Sequence, residues 1–225
     1  MSPTERLSRR FADRHDAGRH LAAALAAYAG RDDVLVVALP RGGVPVGYEV
    51  ARALGVPLDL MQVRKLGVPG HEELAMGAIA SGGVRIVSEN VVEALQIPER
   101  VIATVAAAEA QELERRERSY REGRSFPDVR GRTVILVDDG LATGSTMRAA
   151  AAALRSLGAG RLVAAVPVAP PETCDALREV VDEVVCARTP DNFIAVGEWY
   201  VDFAQTTDAE VRELLRRAAE RGPRS

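Results

Sequence analysis

The chain has 225 residues (24.1 kDa), with 29 Lys+Arg against 32 Asp+Glu and a net charge of −3. Hydrophobic residues make up 47% and charged residues 27%, which excludes disorder over most of the length and supplies a core that needs no disulfide or metal staple. Mild acidity argues against a dedicated nucleic-acid binder, and no apolar run is long enough to span a bilayer, so one soluble globular domain over residues 1–225 is expected.

In chain order, Met1 to Arg14 is polar and charged and lacks the apolar core of a signal peptide. Asp16 to Ala29 reads as a helix stopped by Gly30, and Val34 to Leu39 as a short buried strand. The turn Pro40-Arg41-Gly42-Gly43 leads into a helix that closes at Gly55, and Leu58 to Val63 reads as a second strand. Residues 64–74 hold Gly, Pro and charge and are expected to form a long mobile loop. Ala75 to Ala80 and Val84 to Val87 flank Ser81-Gly82-Gly83 as a hairpin, with Ser88 placed to cap a short helix. Pro98 to Glu122 is a helix with a charged, solvated face, on which Arg and Glu interleave and leave no basic stripe.

The second half alternates strand and helix. Strands are expected at Thr133–Val137, Leu162–Val168 and Glu183–Ala187, and helices at Ser145–Leu157 and Pro171–Val180. An irregular aromatic stretch, Thr189 to Phe203, precedes a closing amphipathic helix, Asp208 to Ala219. This alternation implies crossover connections, hence an α/β fold with a mostly parallel twisted sheet flanked by helices.

The cysteines, Cys174 and Cys186, form no framework, and Cys186 lies in an apolar run as a small core residue. A reducing, cytoplasmic setting is expected. His15, His20 and His71 make no metal set, with His15 and His20 expected at the surface. Lysine occurs once, at Lys65; every other long cation is arginine.

The segment from 133 to 149 carries the chemistry. A buried strand delivers two adjacent carboxylates, Asp138 and Asp139, to its end, and a small-residue loop then enters a helix N-terminus. Free backbone N–H groups and the helix dipole make that terminus an anion site, with hydroxyls from Thr143, Ser145 and Thr146. A phosphate cradle beside carboxylates that accept from sugar hydroxyls suits a phosphorylated ribose. The plain alternative is an acid pair that caps a turn and a Gly144 that permits it. The loop is not a Walker A motif, because the lysine after the glycine is absent, and no Gly-x-Gly-x-x-Gly or Gly-x-Ser-x-Gly element occurs.

Val134 to Thr146 resembles the phosphoribosyl-pyrophosphate (PRPP) signature of type I phosphoribosyltransferases: apolar residues, two acids, then a Thr-Gly-Ser-Thr loop. The likeness runs from the first strand to the aromatic segment near residue 200. It implies that Asp138 and Asp139 hold the ribose 2′- and 3′-hydroxyls together with Mg²⁺, and that Ala142, Thr143, Gly144, Ser145 and Thr146 hold the 5′-phosphate. Arg41, Gly42 and Gly43 match the family's pyrophosphate loop, a Gly-rich turn opening a helix with a fork-shaped cation. Arg64 and Lys65 lead into a segment resembling the flexible lid, 64–74, although Arg64 also suits a surface position at a strand end.

The same resemblance implies transfer of ribose 5-phosphate from PRPP to a nitrogenous base with loss of pyrophosphate, as in nucleotide salvage. It further implies a small C-terminal hood over the base, 189–203, where Phe193 and Trp199 would stack, and the homodimer common in the family. Ala142 stands where many members carry an aspartate assigned as general base, which leaves Glu72 or Glu73 in the lid as candidates. The strand before the hood lacks the lysine that 6-oxopurine enzymes use. The competing reading is a non-catalytic PRPP-binding regulator; relatives of that kind usually add a DNA-binding domain or a basic surface, which this stretch does not show.

Overall fold

A computed structural model describes residues 10–221. Residues 1–9 of the polar N-terminal segment and residues 222–225 lie outside the described part. Among the described residues no helix is long and apolar enough to cross a membrane.

The main sheet is parallel and five-stranded, in the order β2-β1-β6-β7-β8. Its strands are β1 (Val34–Ala38), β2 (Leu58–Leu60), β6 (Thr133–Val137), β7 (Arg161–Val168) and β8 (Glu183–Arg188). Every residue of β1 and β6 is buried, as expected of central strands covered on both faces. Their side chains alternate between two cores. Val34, Val36, Ile135 and Val137 meet helices α1 (Arg14–Ala24) and α2 (Gly43–Leu54) on one face. Leu35, Val37, Val134 and Leu136 meet α5 (Ser145–Ser156) and α6 (Pro171–Leu177) on the other.

This topology has a switch point. The chain leaves β1 through α2 to reach β2 on one side, and leaves β6 through α5 to reach β7 on the other. The loops after β1 and β6 therefore diverge and open a crevice beyond the strand ends, where ligands of open α/β sheets bind.

The structure differs from the expected elements in three places. Helix α1 begins at Arg14, not Asp16, and ends at Ala24; a 3₁₀ turn at Ala26–Tyr28 then carries the Tyr28 hydroxyl to Glu183 at 2.6 Å. The expected strand 58–63 is split. After Met61, whose N–H donates to Ala38, Gln62 exchanges hydrogen bonds with Ser81, and the chain leaves the main sheet.

It enters a second, antiparallel sheet of β3 (Val63–Val68), β4 (His71–Ala80) and β5 (Val84–Val87). The segment 64–74, expected as a loop, thus forms both arms of a hairpin that turns at Pro69-Gly70. The cause is tertiary: Leu66, Val68, Met76 and Ile79 pack on Ile102, Ala106 and Leu113 of α4 (Glu99–Arg121). Between β5 and α4 lies α3 (Glu89–Ala94); Ser88 sits at its N-cap, but its side chain makes no capping hydrogen bond. The closing helix, α7 (Asp208–Arg221), packs through Val211, Leu214 and Leu215 onto Val44 and Tyr48 of α2 and Tyr120 of α4.

Candidate active site

The loops after β1 and β6 meet closely. Leu39 N–H donates to Val137 O at 2.8 Å, continuing the β1–β6 ladder to the point where both chains turn. A Cβ on Gly42 would fall 2.0 Å from Oδ2 of Asp139, so only glycine lets the 40–43 turn lie against the acid pair. Gly43 opens α2 with its backbone against Val137 and Asp138. The Pro40–Arg41 peptide is cis.

Asp138 and Asp139 stand half-buried at the end of β6, with the Asp139 N–H donating to Asp138 Oδ1 at 2.8 Å. Burial, and then the neighbouring Asp139 charge, push the Asp138 carboxyl well above the usual carboxylate range. Burial also raises Asp139, opposed by the hydrogen bond and charge of Arg14. That arginine, in the first turn of α1, donates from Nε to Asp139 Oδ2 at 2.8 Å and from Nη1 to Ala204 O at 2.6 Å. The Tyr200 hydroxyl donates to the backbone carbonyl of Asp139.

Beyond the acids the loop presents Ala142, Thr143, Ser145 and Thr146 to solvent. Gly144 caps α5 in the left-handed region (φ 69°), a conformation that glycine adopts without strain. The free N–H groups of the first turn of α5 and the hydroxyls of Thr143 and Ser145, 3.0 Å apart, make an open anion cradle. From beneath, the buried Thr173 hydroxyl donates to Ala142 O at 2.6 Å and fixes the loop to α6.

The expected site residues divide into two groups. Gly42, Gly43, Asp138, Asp139 and 142–146 converge on the crevice. Arg41 is partly exposed and lies 3.5 Å from Asp208 in the first turn of α7. Arg64 is engaged by Glu109 of α4, while Lys65, next to it on the strand, is exposed. Glu72 accepts from the Gly70 N–H at 3.1 Å within the hairpin turn, and donation from its own backbone N–H, then from that of Gly70, holds its carboxyl below the usual range. Glu73 is exposed. Among the described residues, no hydrogen bond or ion pair joins Lys65, Glu72 or Glu73 to the acid pair.

In the 189–203 segment Phe193 is half-buried, while Trp199 packs onto the Phe11–Ala17–Tyr200 cluster. Tyr200 is the aromatic that touches the acid pair, through its hydroxyl on Asp139 O, and behind it the Phe203 ring lies 4.0 Å from the Arg14 guanidinium and 5.0 Å from the Tyr200 ring. Arg14 and Phe203 escape a reading of local sequence. The available signal was the pair of acids at 13 and 16. Asp13 Oδ1 accepts from Asp16 N, and Asp16 Oδ2 from Ala12 N, a reciprocal cap that starts the helix at Arg14. His15, expected at the surface, instead bonds to the buried Glu49 at 3.0 Å, while His20 is exposed.

Residues 11–204 match the model of the phosphoribosyl transferase domain. A Mycobacterium tuberculosis H37Rv protein bearing a provisional phosphoribosyl transferase name is 46% identical over 208 residues, covering 92% of this chain and 47% of that protein. The chain spans about half the length of such curated relatives. The crystal structure of TT1426 from Thermus thermophilus is similar with a TM-score of 0.82 and 42% identity, covering 92% of this chain and 98% of that one. A stretch of 69 residues is 48% identical to a ribose-phosphate pyrophosphokinase of Methanopyrus kandleri, 29% of this chain and 24% of that enzyme. With the match extending from Phe11 to the far edge of the aromatic segment, this chain belongs to the phosphoribosyl transferase domain family.

Proposed function

We propose that the chain transfers ribose 5-phosphate from PRPP to a nitrogenous base and releases pyrophosphate. The observation that supports this reading is the close approach of Gly42 to Asp139, which brings the Gly-rich 40–43 turn against the acid pair at one crevice, with the 142–146 loop next to them. In this reading the cradle takes the 5′-phosphate, Asp138 and Asp139 take the ribose hydroxyls, and the 41–43 turn takes the pyrophosphate, with Arg41 as its cation. Arg64 and Lys65 are the lid cations, and Phe193 and Trp199 are carried with the hood as the base-facing aromatics.

Charge decides the chemistry. The departing pyrophosphate gains charge as the anomeric carbon becomes cationic, so preorganised N–H groups and cations on one side and carboxylates on the other lower the barrier. Two crowded carboxylates are hard oxygen donors whose mutual repulsion a divalent cation relieves, so the pair fits Mg²⁺. Among the described residues no cluster of three or more candidate ligands occurs, so substrate oxygens and water would complete the shell. When bound, Mg²⁺ would neutralise the diphosphate and brace the diol.

The accepting nitrogen must lose its proton. Glu72 and Glu73 are the candidate bases, and Glu72 must leave the hairpin turn to act, because its lowered carboxyl is a poor proton acceptor there. That engagement, with Ala142 where many members carry an aspartate, favours as second reading a regulator that binds PRPP without turnover.

Calorimetric titration of PRPP with Mg²⁺ tests the reading, with Asp139→Asn and Ser145→Ala as controls. Binding by the wild type that falls in both variants is the expected result; absence of binding by the wild type would sink the assignment of the 138–146 loop.

A further inference from the structure

Arg14 stands in an unfavourable place for a cation. It occupies the first turn of α1, whose dipole repels positive charge, yet its side chain is 11% exposed. Its partners account for this. The guanidinium fork binds two groups at once, Nε on Asp139 Oδ2 and Nη1 on Ala204 O, while its face lies 4.0 Å from the Phe203 ring.

The segment carrying Arg14 is itself tied to the aromatic segment. Phe11 N–H donates to Trp199 O, and Val201 and Asp202 N–H donate to Phe11 O and Ala12 O, each within 2.9 Å. Arg14 therefore links three parts: the N-terminal segment, the 199–204 stretch and the acid pair. It also borders the Gly42 turn, where a Cβ would fall 3.2 Å from its Nε.

We propose that Arg14 is a positioning residue for the sugar side of the site, holding the Asp139 carboxylate against the Gly42 turn so that it accepts ribose hydroxyls. The role rests on the reading of residues 138–146 as the PRPP site. The groups acting on Asp139 are few. Asp138 adds like charge from the end of β6, the Tyr200 phenol approaches from the 199–204 stretch, and Arg188 acts at the end of β8 on Tyr200. Arg41, the cation of the neighbouring turn, faces Asp208 instead. Among the described residues Arg14 is thus the cation in contact with the pair. Without it the Asp139 carboxylate loses the fork that holds it against the Gly42 turn.

The test is the affinity of Mg²⁺–PRPP, measured by calorimetry beside that of inorganic phosphate, for the wild type, Arg14→Met, Arg14→Lys and Asp139→Asn. Arg14→Met is expected to bind Mg²⁺–PRPP about tenfold or more weakly, as when an orienting partner is removed. Phosphate, which the 142–146 cradle takes without the acid pair, should keep its wild-type affinity. Arg14→Lys keeps the charge but not the fork, so its affinity for Mg²⁺–PRPP should stay below wild type.

Wild-type affinity for Mg²⁺–PRPP in Arg14→Met would overturn the role, as would a loss of phosphate affinity by the same factor, which marks a purely structural staple. Should Arg14→Met fail to fold, Arg14→Lys decides: affinity equal to wild type sinks the fork. Binding lost in Asp139→Asn but intact in the Arg14 variants rejects Arg14 alone. No binding by the wild type rejects the PRPP site and this role with it.

Discussion

Asp139 and Gly42 compete for the same space. Oδ2 of the aspartate lies 2.0 Å from the position a Cβ on the glycine would take. Gly42 has ordinary helical backbone angles (φ −61°, ψ −34°), so alanine there is strained by the contact and not by its own conformation. Gly42→Ala should therefore cost about 1–3 kcal/mol of stability and weaken PRPP binding. In an Asp139→Ala background the clash is gone and the same substitution should cost little, which a double-mutant cycle in denaturant measures. An equal cost in both backgrounds would place the strain elsewhere.

Asp138 should be a functional liability to the fold. Its folded carboxyl is raised by burial and by Asp139, so the native state holds its proton more tightly than the unfolded chain. The sign follows: this group's contribution is harmless below the unfolded value and becomes increasingly destabilising as pH rises toward the folded one. Asp138→Asn should raise Tm by a few degrees at neutral pH, on the order of 1 kcal/mol, while abolishing PRPP binding. The gain should vanish on acidification; a gain that grows toward acid would contradict the assignment.

Arg121 holds the end of α4 against β2. It is 2% exposed, donates to Asp59 at 2.8 Å and to Leu60 O, and lies 5.0 Å from the Phe126 ring. Arg121→Met strands Asp59 and its other ion-pair partner, Glu117 at 2.9 Å, in mostly buried positions and should cost about 3 kcal/mol in urea unfolding. Addition of Asp59→Asn and Glu117→Gln should recover much of the loss, and no recovery would indicate that packing of the long side chain dominates.

Thr173 lies outside the loop it supports. Its buried hydroxyl donates to Ala142 O from α6, so Thr173→Val leaves that carbonyl without this donor at nearly unchanged volume. Stability should fall by about 1 kcal/mol, and phosphate affinity should fall with it as the cradle loosens. Loss of stability with unchanged phosphate affinity would separate Thr173 from the site.

The parallel sheet is legible in the sequence because β1 and β6 are continuous apolar runs, each followed by a Gly-bearing turn into a helix. A buried strand followed by an anion turn is a local pattern that burial on both faces enforces. The acid pair and the 142–146 cradle are legible for the same reason. The hairpin at 63–80 is not, because Gly67, Pro69-Gly70 and the charged 71–73 stretch look like a loop until α4 covers Leu66 and Met76. Arg14 is hidden by distance, since its partner Asp139 stands 125 residues away and no local periodicity links them. The tether of Glu72 to the hairpin turn depends on that same tertiary arrangement.

Pyrophosphate release from PRPP with Mg²⁺, measured against a panel of purine and pyrimidine bases, tests transfer most directly. Release that depends on one base and is lost in Asp139→Asn is the expected result and names the acceptor. Binding without release for any base would support the regulator instead, and neither binding nor release would contradict the reading of the crevice between β1 and β6.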